Sequence, residues 1–327
     1  MTRPTSWLRQ TLCVILCAGL TAFAGTAVAQ DAWPSRSIRL VVTFPPGGLL
    51  DVVSRMLAPK LSDALGQQVV VENRPGANGN IGGEVAARSA PDGYTLLATS
   101  ADMVVVNPHL YRMGFDPAKD LEPITQLVRL SMMIVAGPQY PARDAKELVT
   151  HLKSKPGQTY GTPGNGSAPH LIGEAFRVET GVQINHVPYK GLAPAISDLL
   201  GGQIDFVVDA GVSLPHLRTG KLKLLAVAGK SRLAEFPDVP TLAESGVAGF
   251  DSDTTFVMMA PAGTPKAIVA RVNAEVVKLL RSDEFTARLK TMNLGAVANS
   301  PAEARANLQA DYVRLGKVIR EAGIKLE

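Results

Sequence analysis

Cysteine is almost missing from this chain. Its 327 residues hold only two, Cys13 and Cys17, and both fall in an apolar run from Thr11 to Phe23. Arg3 and Arg9 precede that run, and Ala27-Val28-Ala29 follows it as a small-x-small site. This is the order of a secretory signal peptide, with cleavage expected after Ala29 and the periplasm as destination. The run is short for a membrane span and gives way to Gly25, Thr26 and a polar start. Leu16 stands before Cys17, where lipidation would need a small residue. Once residues 1–29 are removed, no thiol remains to act as nucleophile, metal ligand or half of a disulfide.

An excess of charge of one sign is also missing. The sequence has 33 basic and 29 acidic residues, and taking Arg3 and Arg9 away with the leader leaves 31 against 29, a net of +2. No basic run stands out, which excludes nucleic acid as an expected partner. No apolar segment after the leader is long enough to cross a bilayer. Catalytic signatures are absent too: there is no Gly-x-Ser-x-Gly elbow, no His-Glu-x-x-His helix and no paired-cysteine site. The five histidines, His109, His151, His170, His186 and His216, are scattered without metal spacing. Neither a metal nor a cofactor is expected. The Gly76-x-x-Gly79-x-x-Gly82 pattern has the wrong spacing for a dinucleotide fingerprint and reads as a structural turn.

What is present is alternation. From Ile38 onward, short β-branched runs alternate with segments of helical period, an α/β pattern with largely parallel sheets expected. Two long strand-like runs, Ile124–Ala136 and Thr254–Ala260, bracket a central series. They suggest two crossovers between a discontinuous lobe (30–127 plus 254–327) and a second lobe (128–253). A cleft between such lobes is a common place for a small ligand.

Two strand–loop–helix junctions carry the strongest chemistry. One is Phe44-Pro45-Pro46-Gly47-Gly48-Leu49-Leu50-Asp51, and the other is Gly161-Thr162-Pro163-Gly164-Asn165-Gly166-Ser167-Ala168. Glycines let the backbone approach a ligand, and a helix start offers unpaired N–H groups at its positive dipole end. Each junction could hold a carboxylate without lysine or arginine, so the pair could clamp a small diacid. Ser167 would add a hydroxyl or cap the helix, and Asp51 reads as an acid offsetting the dipole. Tyr189, at the end of "VPYKG", would stack on or donate to a ligand, or pack in the core. Asp209, at another strand end, would meet a ligand amine or hydroxyl, or cap the next turn. His170 lies three residues beyond Ser167, so a secreted serine hydrolase using Ser167 is an alternative, with no third member in view.

Several long motifs carry a resemblance over essentially the whole chain after the leader. "WPSRSIRLVVTFPPGGLLD", "VVVENRPGANGNIGGEVAARSAPDGYTLL", "YGTPGNGSAPHL", "VPYKG" and "APAGTP", in that order, resemble the tripartite tricarboxylate transporter substrate-binding proteins, the Bug or TctC-like receptors. The resemblance implies a periplasmic two-lobe flytrap of the type II binding-protein kind. Its ligand would be a small carboxylate: a di- or tricarboxylate, an acidic amino acid or an aromatic acid. It also implies that residues matching Phe44, Gly47, Gly48, Leu49 and Leu50, together with Thr162, Asn165, Gly166 and Ser167, grip the carboxylates. Ser100, at the strand end Thr99-Ser100-Ala101, would line the cleft. A membrane permease pair or a sensor-kinase ectodomain would be the partner of a monomer. Two places depart from the family pattern. Leu49-Leu50 stands where a small or hydroxylated pair is usual, and Asp253-Thr254-Thr255-Phe256 where an aromatic such as Trp is. Both weigh against citrate or aspartate, and the leucines favour a ligand with a hydrocarbon or aromatic body.

Overall fold

The run Ile38–Val42 forms β1, whose residues other than Arg39 are fully buried. An apolar set with no polar alternation is what a central strand covered on both faces requires. Helix α1, Leu49–Leu65, follows. It buries Leu50, Val53, Leu57 and Leu61 to 1% exposure or less, one stripe at helical spacing. It stops at Gly66, which takes φ 75° and donates its N–H to the Ser62 carbonyl.

In this computed structural model the described residues are 33–229, 231–233, 235–247, 253–321 and 323. The leader expectation, with Cys13 and Cys17, lies outside them. The described residues from Arg36 onward form one compact unit.

The chain continues through β2 (Val69–Asn73), α2 (Asn80–Ala87) and β3 (Thr95–Ser100). Three one-turn helices come next, α3 (Asp102–Val105), α4 (Asn107–Leu110) and α5 (Pro117–Asp120), then β4 (Leu121–Leu130) and β5 (Met133–Ala136). A second series runs α6 (Ala145–Ser154), β6 (Gln158–Thr162), α7 (Ala168–Thr180), β7 (Ile184–Pro188) and α8 (Leu192–Leu200). It ends with β8 (Phe206–Asp209), α9 (Leu214–Arg218) and β9 (Lys223–Val227). The last stretch is β10 (Thr254–Pro261), α10 (Lys266–Leu280), α11 (Asp283–Thr291), β11 (Leu294–Ala296) and α12 (Pro301–Glu321).

These strands make two sheets, one per lobe. The first has the order β11-β4-β10-β3-β1-β2 and the second β7-β6-β8-β5-β9. Among the strands named here, β1 pairs in parallel with β2 and β3, and β6 with β7 and β8. β10 runs antiparallel to both β3 and β4, and β5 antiparallel to both β8 and β9. The sheets are therefore mixed rather than largely parallel, because strands that carry the chain between lobes enter each sheet from the far end. The apolar run read as one long strand, Ile124–Ala136, is broken at Ser131 and Met132 into strands of different sheets. The return passes at Asp253, whose carboxylate accepts from Ser131 Oγ at 3.1 Å.

The glycine-rich stretch after β2 is a packing device. A Cβ on Gly82 would lie 2.8 Å from the Arg74 carbonyl, and one on Gly83 2.8 Å from the Phe115 ring. Asn78, at φ 49°, donates Nδ2 to the Gly166 carbonyl of the second lobe at 2.9 Å.

No helix among the described residues is long and apolar enough to cross a membrane.

Candidate functional site

The loops after β1 and β6 face one cavity of about 220 Å³ between the two sheets. Phe44, Gly47, Gly48, Leu49 and Leu50 line it from one side and Pro163 and Ser167 from the other, with Ser100 at the end of β3. Leu130, Met132, Leu192, Val212 and Phe256 complete a mainly hydrocarbon wall. Leu50 shares the buried stripe of α1, whereas Leu49 is only half buried and reaches toward Gly211 of the second lobe.

The first loop is held open by an internal carboxylate. Asp51 accepts from the Gly47 N–H at 2.9 Å, Asn73 Nδ2 at 2.8 Å and Arg55 Nε at 3.0 Å. Burial works to raise its pKa, but Arg55, the Gly47 amide and Asn73 together hold it below the ordinary 3.8. A depressed carboxylate contributes stability that is complete above the unfolded value and lost as pH falls through the folded one. Asp51→Ala should therefore lower the midpoint of thermal unfolding at neutral pH, by an amount matching roughly 1–3 kcal/mol. The gap to wild type should close as pH drops below 3.8. A gap unchanged by acid would show that Asp51 does not hold the loop through its charge.

With Asp51 turned back to Gly47, no side chain caps the start of α1. The Gly48 N–H is taken by the Pro45 carbonyl at 3.3 Å, and the next amides along begin the helix at the cavity wall, an anion-attracting end. Helix α8 begins the same way, with Gly191 at φ 113° and no side-chain cap. Gly191, Leu192 and the exposed Lys190 line the cavity as well. The two starts converge, since Pro45 Cγ lies 3.9 Å from where a Gly191 Cβ would sit.

The start of α7 is arranged differently. Ser167 caps it, accepting from the His170 N–H at 3.4 Å while donating Oγ to the Gly164 carbonyl at 2.7 Å. The Ala168 N–H donates to Asp102 Oδ2 at 2.9 Å, and Pro169 has no N–H. Asp102 is thus already the carboxylate at this helix start. It is 5% exposed, lines the cavity and also accepts from Thr254 Oγ1 at 3.0 Å. Burial raises it above the usual carboxylate range, against hydrogen bonds from Ala168, Ser100 and Thr254 that pull it back.

Other sequence candidates are placed away from the cavity lining. Thr162 is fully buried and joined to His186 Nε2 at 2.6 Å. The Asn165 carbonyl accepts from Tyr111 Oη, and the Gly166 carbonyl from Asn78. Tyr189 donates its hydroxyl to Asp198 at 2.7 Å; burial, and then Asp198, raise its pKa to about 12. Asp209 has no exposed surface and caps the turn after β8, accepting from the N–H groups of Gly211, Val212 and Ser213 and from Ser213 Oγ.

Ser167 and His170 do not form a nucleophile–base pair. His170 Nδ1 accepts from the Gly166 N–H at 3.1 Å, and its ring stacks on His186 with centroids 4.1 Å apart. Burial, with His170 adding like charge, brings His186 down to about 4. No cluster of metal-ligating side chains occurs among the described residues.

Residues 53–324 match the model of the tripartite tricarboxylate transporter family receptor, TctC. The chain is similar to protein BugT of Bordetella pertussis, 36% identical over 311 residues that cover 94% of this chain and 95% of that one. Among solved structures it is similar to Rpa4515 of R. palustris with adipate, at TM-score 0.86 and 35% identity over 90% of this chain and 99% of that one. It is also similar to MatC (Rpa3494) of Rhodopseudomonas palustris with bound malate, at TM-score 0.82 and 30% identity over 88% of this chain and 100% of that one. These family members are solute-binding proteins rather than enzymes.

Proposed function

Because the chain belongs to the tripartite tricarboxylate transporter receptor family, we propose that it is a periplasmic receptor that captures a small carboxylate between its lobes and delivers it to a tripartite permease. The observation that carries this reading is the pair of uncapped helix starts, α1 from one lobe and α8 from the other, meeting at one mainly hydrocarbon cavity. Backbone amides at a helix start bind an anion through their unpaired hydrogens and the helix dipole. Because the two starts belong to different sheets, a carboxylate between them joins the lobes. It then favours the closed arrangement by its greater affinity for it.

The lobes divide at the Ser131–Asp253 crossover, and a leader ending at Ala29 carries the chain to the periplasm. Leu49, Leu50, Met132, Leu192 and Phe256 call for a hydrocarbon body on the ligand, and the adipate bound by a relative is an aliphatic acid.

The test is a thermal-shift screen of mature protein that has been unfolded and refolded to strip carried-over ligand, against mono-, di- and tricarboxylates, sugars and cations. A ligand at about 100 times its dissociation constant adds roughly 2.7 kcal/mol, a shift of several degrees. A panel in which sugars or cations stabilise and no carboxylate does would overturn the proposal.

A further inference from the structure

Among the described residues lining the cavity, one acid is present, Asp102, and one base, Lys190. They differ in setting. Lys190 is exposed beside the uncapped start of α8. Asp102 is 95% buried and tied to three places: α7 through Ala168, β10 through Thr254, and the end of β3, where its N–H donates to Ser100 Oγ at 3.4 Å. Its carboxylate accepts from three neutral donors, the Ala168 N–H, Thr254 Oγ1 and the Ser100 hydroxyl, against about four lone-pair sites. The charged residue acting on it most directly is another acid, Asp311. A buried carboxylate whose partners are neutral, with a like charge behind it, is an environment that a cation or strong donor improves and a second anion worsens.

We propose that Asp102 sets the receptor's specificity, selecting a carboxylic acid that carries an amine or comparable hydrogen-bond donor as its second polar group and rejecting dicarboxylates. This rests on the carboxylate reading above. The ligand's carboxylate belongs to the α1 and α8 starts with Lys190, its hydrocarbon body to the apolar wall, and its donor to the remaining lone pair of Asp102. The start of α7, which the sequence offers as the second jaw for a diacid, is filled by the protein's own acid. A diacid there would set its second carboxylate against Asp102, so one of the two must bind a proton, whereas an ammonium lets Asp102 stay ionised.

Isosteric triads separate the terms: γ-aminobutyrate, succinate and butyrate; δ-aminovalerate, glutarate and valerate; ε-aminocaproate, adipate and hexanoate. Binding to refolded mature protein is read by calorimetry near neutral pH. In the triad whose length fits, the amino acid should bind at least about tenfold more tightly than both its diacid and its monoacid, as a buried charge pair requires. Asp102→Asn keeps an acceptor for Ala168 or Thr254 and removes the charge. It should bring amino acid and diacid to within about threefold of one another, since the term removed is electrostatic. Should that variant fail to fold, the wild-type ordering decides by itself. Diacids binding as tightly as amino acids throughout would overturn the role of Asp102 and leave the carboxylate reading intact. Binding by none of the nine acids would overturn the role of Asp102 and leave the carboxylate reading to the thermal-shift panel.

Discussion

Leu49→Glu should leave the fold standing and weaken binding of any carboxylate by at least about 100-fold, which corresponds to roughly 2.7 kcal/mol. Leu49 is only half buried, outside the stripe of Leu50, Val53 and Leu57 that anchors α1, so its replacement opens no core cavity. It is the first residue of a helix whose start has no side-chain cap and lines the ligand cavity. A glutamate there brings a tethered carboxylate to the amides that would receive the ligand's, and an acid in the first turn is favourable to the helix itself. Ligand binding then requires displacing that group and overcoming like-charge repulsion, which costs several kcal/mol across a close interface. The fold should lose little or gain slightly, so melting without ligand is the control. Leu49→Gln, equal in size and uncharged, should lose far less affinity. If the glutamate variant bound within about threefold of wild type, a difference below ~0.7 kcal/mol, the start of α1 would not be the anion station.

The second large effect concerns Asp209, whose removal should damage the fold rather than recognition. It accepts three backbone N–H groups and one hydroxyl with no exposed surface, so Asp209→Ala strands four donors at once, three of them buried. Hydrogen bonds to a charged group contribute about 1.5–3 kcal/mol each, and an orphaned buried donor costs about 1–3 kcal/mol. Even with relaxation and water entering the turn, a loss of roughly 3 kcal/mol or more is expected, a fall of several degrees in Tm. Asp209→Asn retains an acceptor and should lie between the two. Were Asp209 a ligand contact instead, Asp209→Ala would melt like wild type and lose affinity; chemical denaturation followed by titration separates the outcomes.

Both cases show which information a linear chain carries. The strand–helix alternation and the two glycine-rich loops were legible because each is a local pattern. Which of Leu49 and Leu50 leaves the buried stripe of α1 was not, because both follow the same turn and only the packing of the helix separates them. Strand direction was not legible: β4 and β10 are buried runs like β1, and apolar composition does not distinguish a parallel neighbour from an antiparallel one. Nor was the facing of a polar residue at a strand end. Asp209 and Ser100 both occupy that position, yet one turns back to cap its own turn and the other reaches the cavity. Thr162 was drawn inward by His186, a neighbour on the adjacent strand. Asp102 was the hardest to see, because its partners Ala168 and Thr254 lie 66 and 152 positions away. Such an acid at the end of "TSAD" looks like an ordinary first-turn residue until the chain folds.

The pairing of Leu130 with Thr254, and of Ser131 with Asp253 one step beyond, makes the chain leave the first sheet and return to it at a single point. The sheet built from β5 to β9 is therefore a cassette whose two ends are already held within hydrogen-bonding reach. Exchanging that cassette between relatives requires almost no new loop closure, and closure entropy grows only slowly with loop length. Recombination at this one junction replaces the wall bearing Lys190 and Ser167 while keeping the wall bearing Leu49 and Asp102. The architecture thus lets half a pocket be exchanged at a time, without rebuilding the other half.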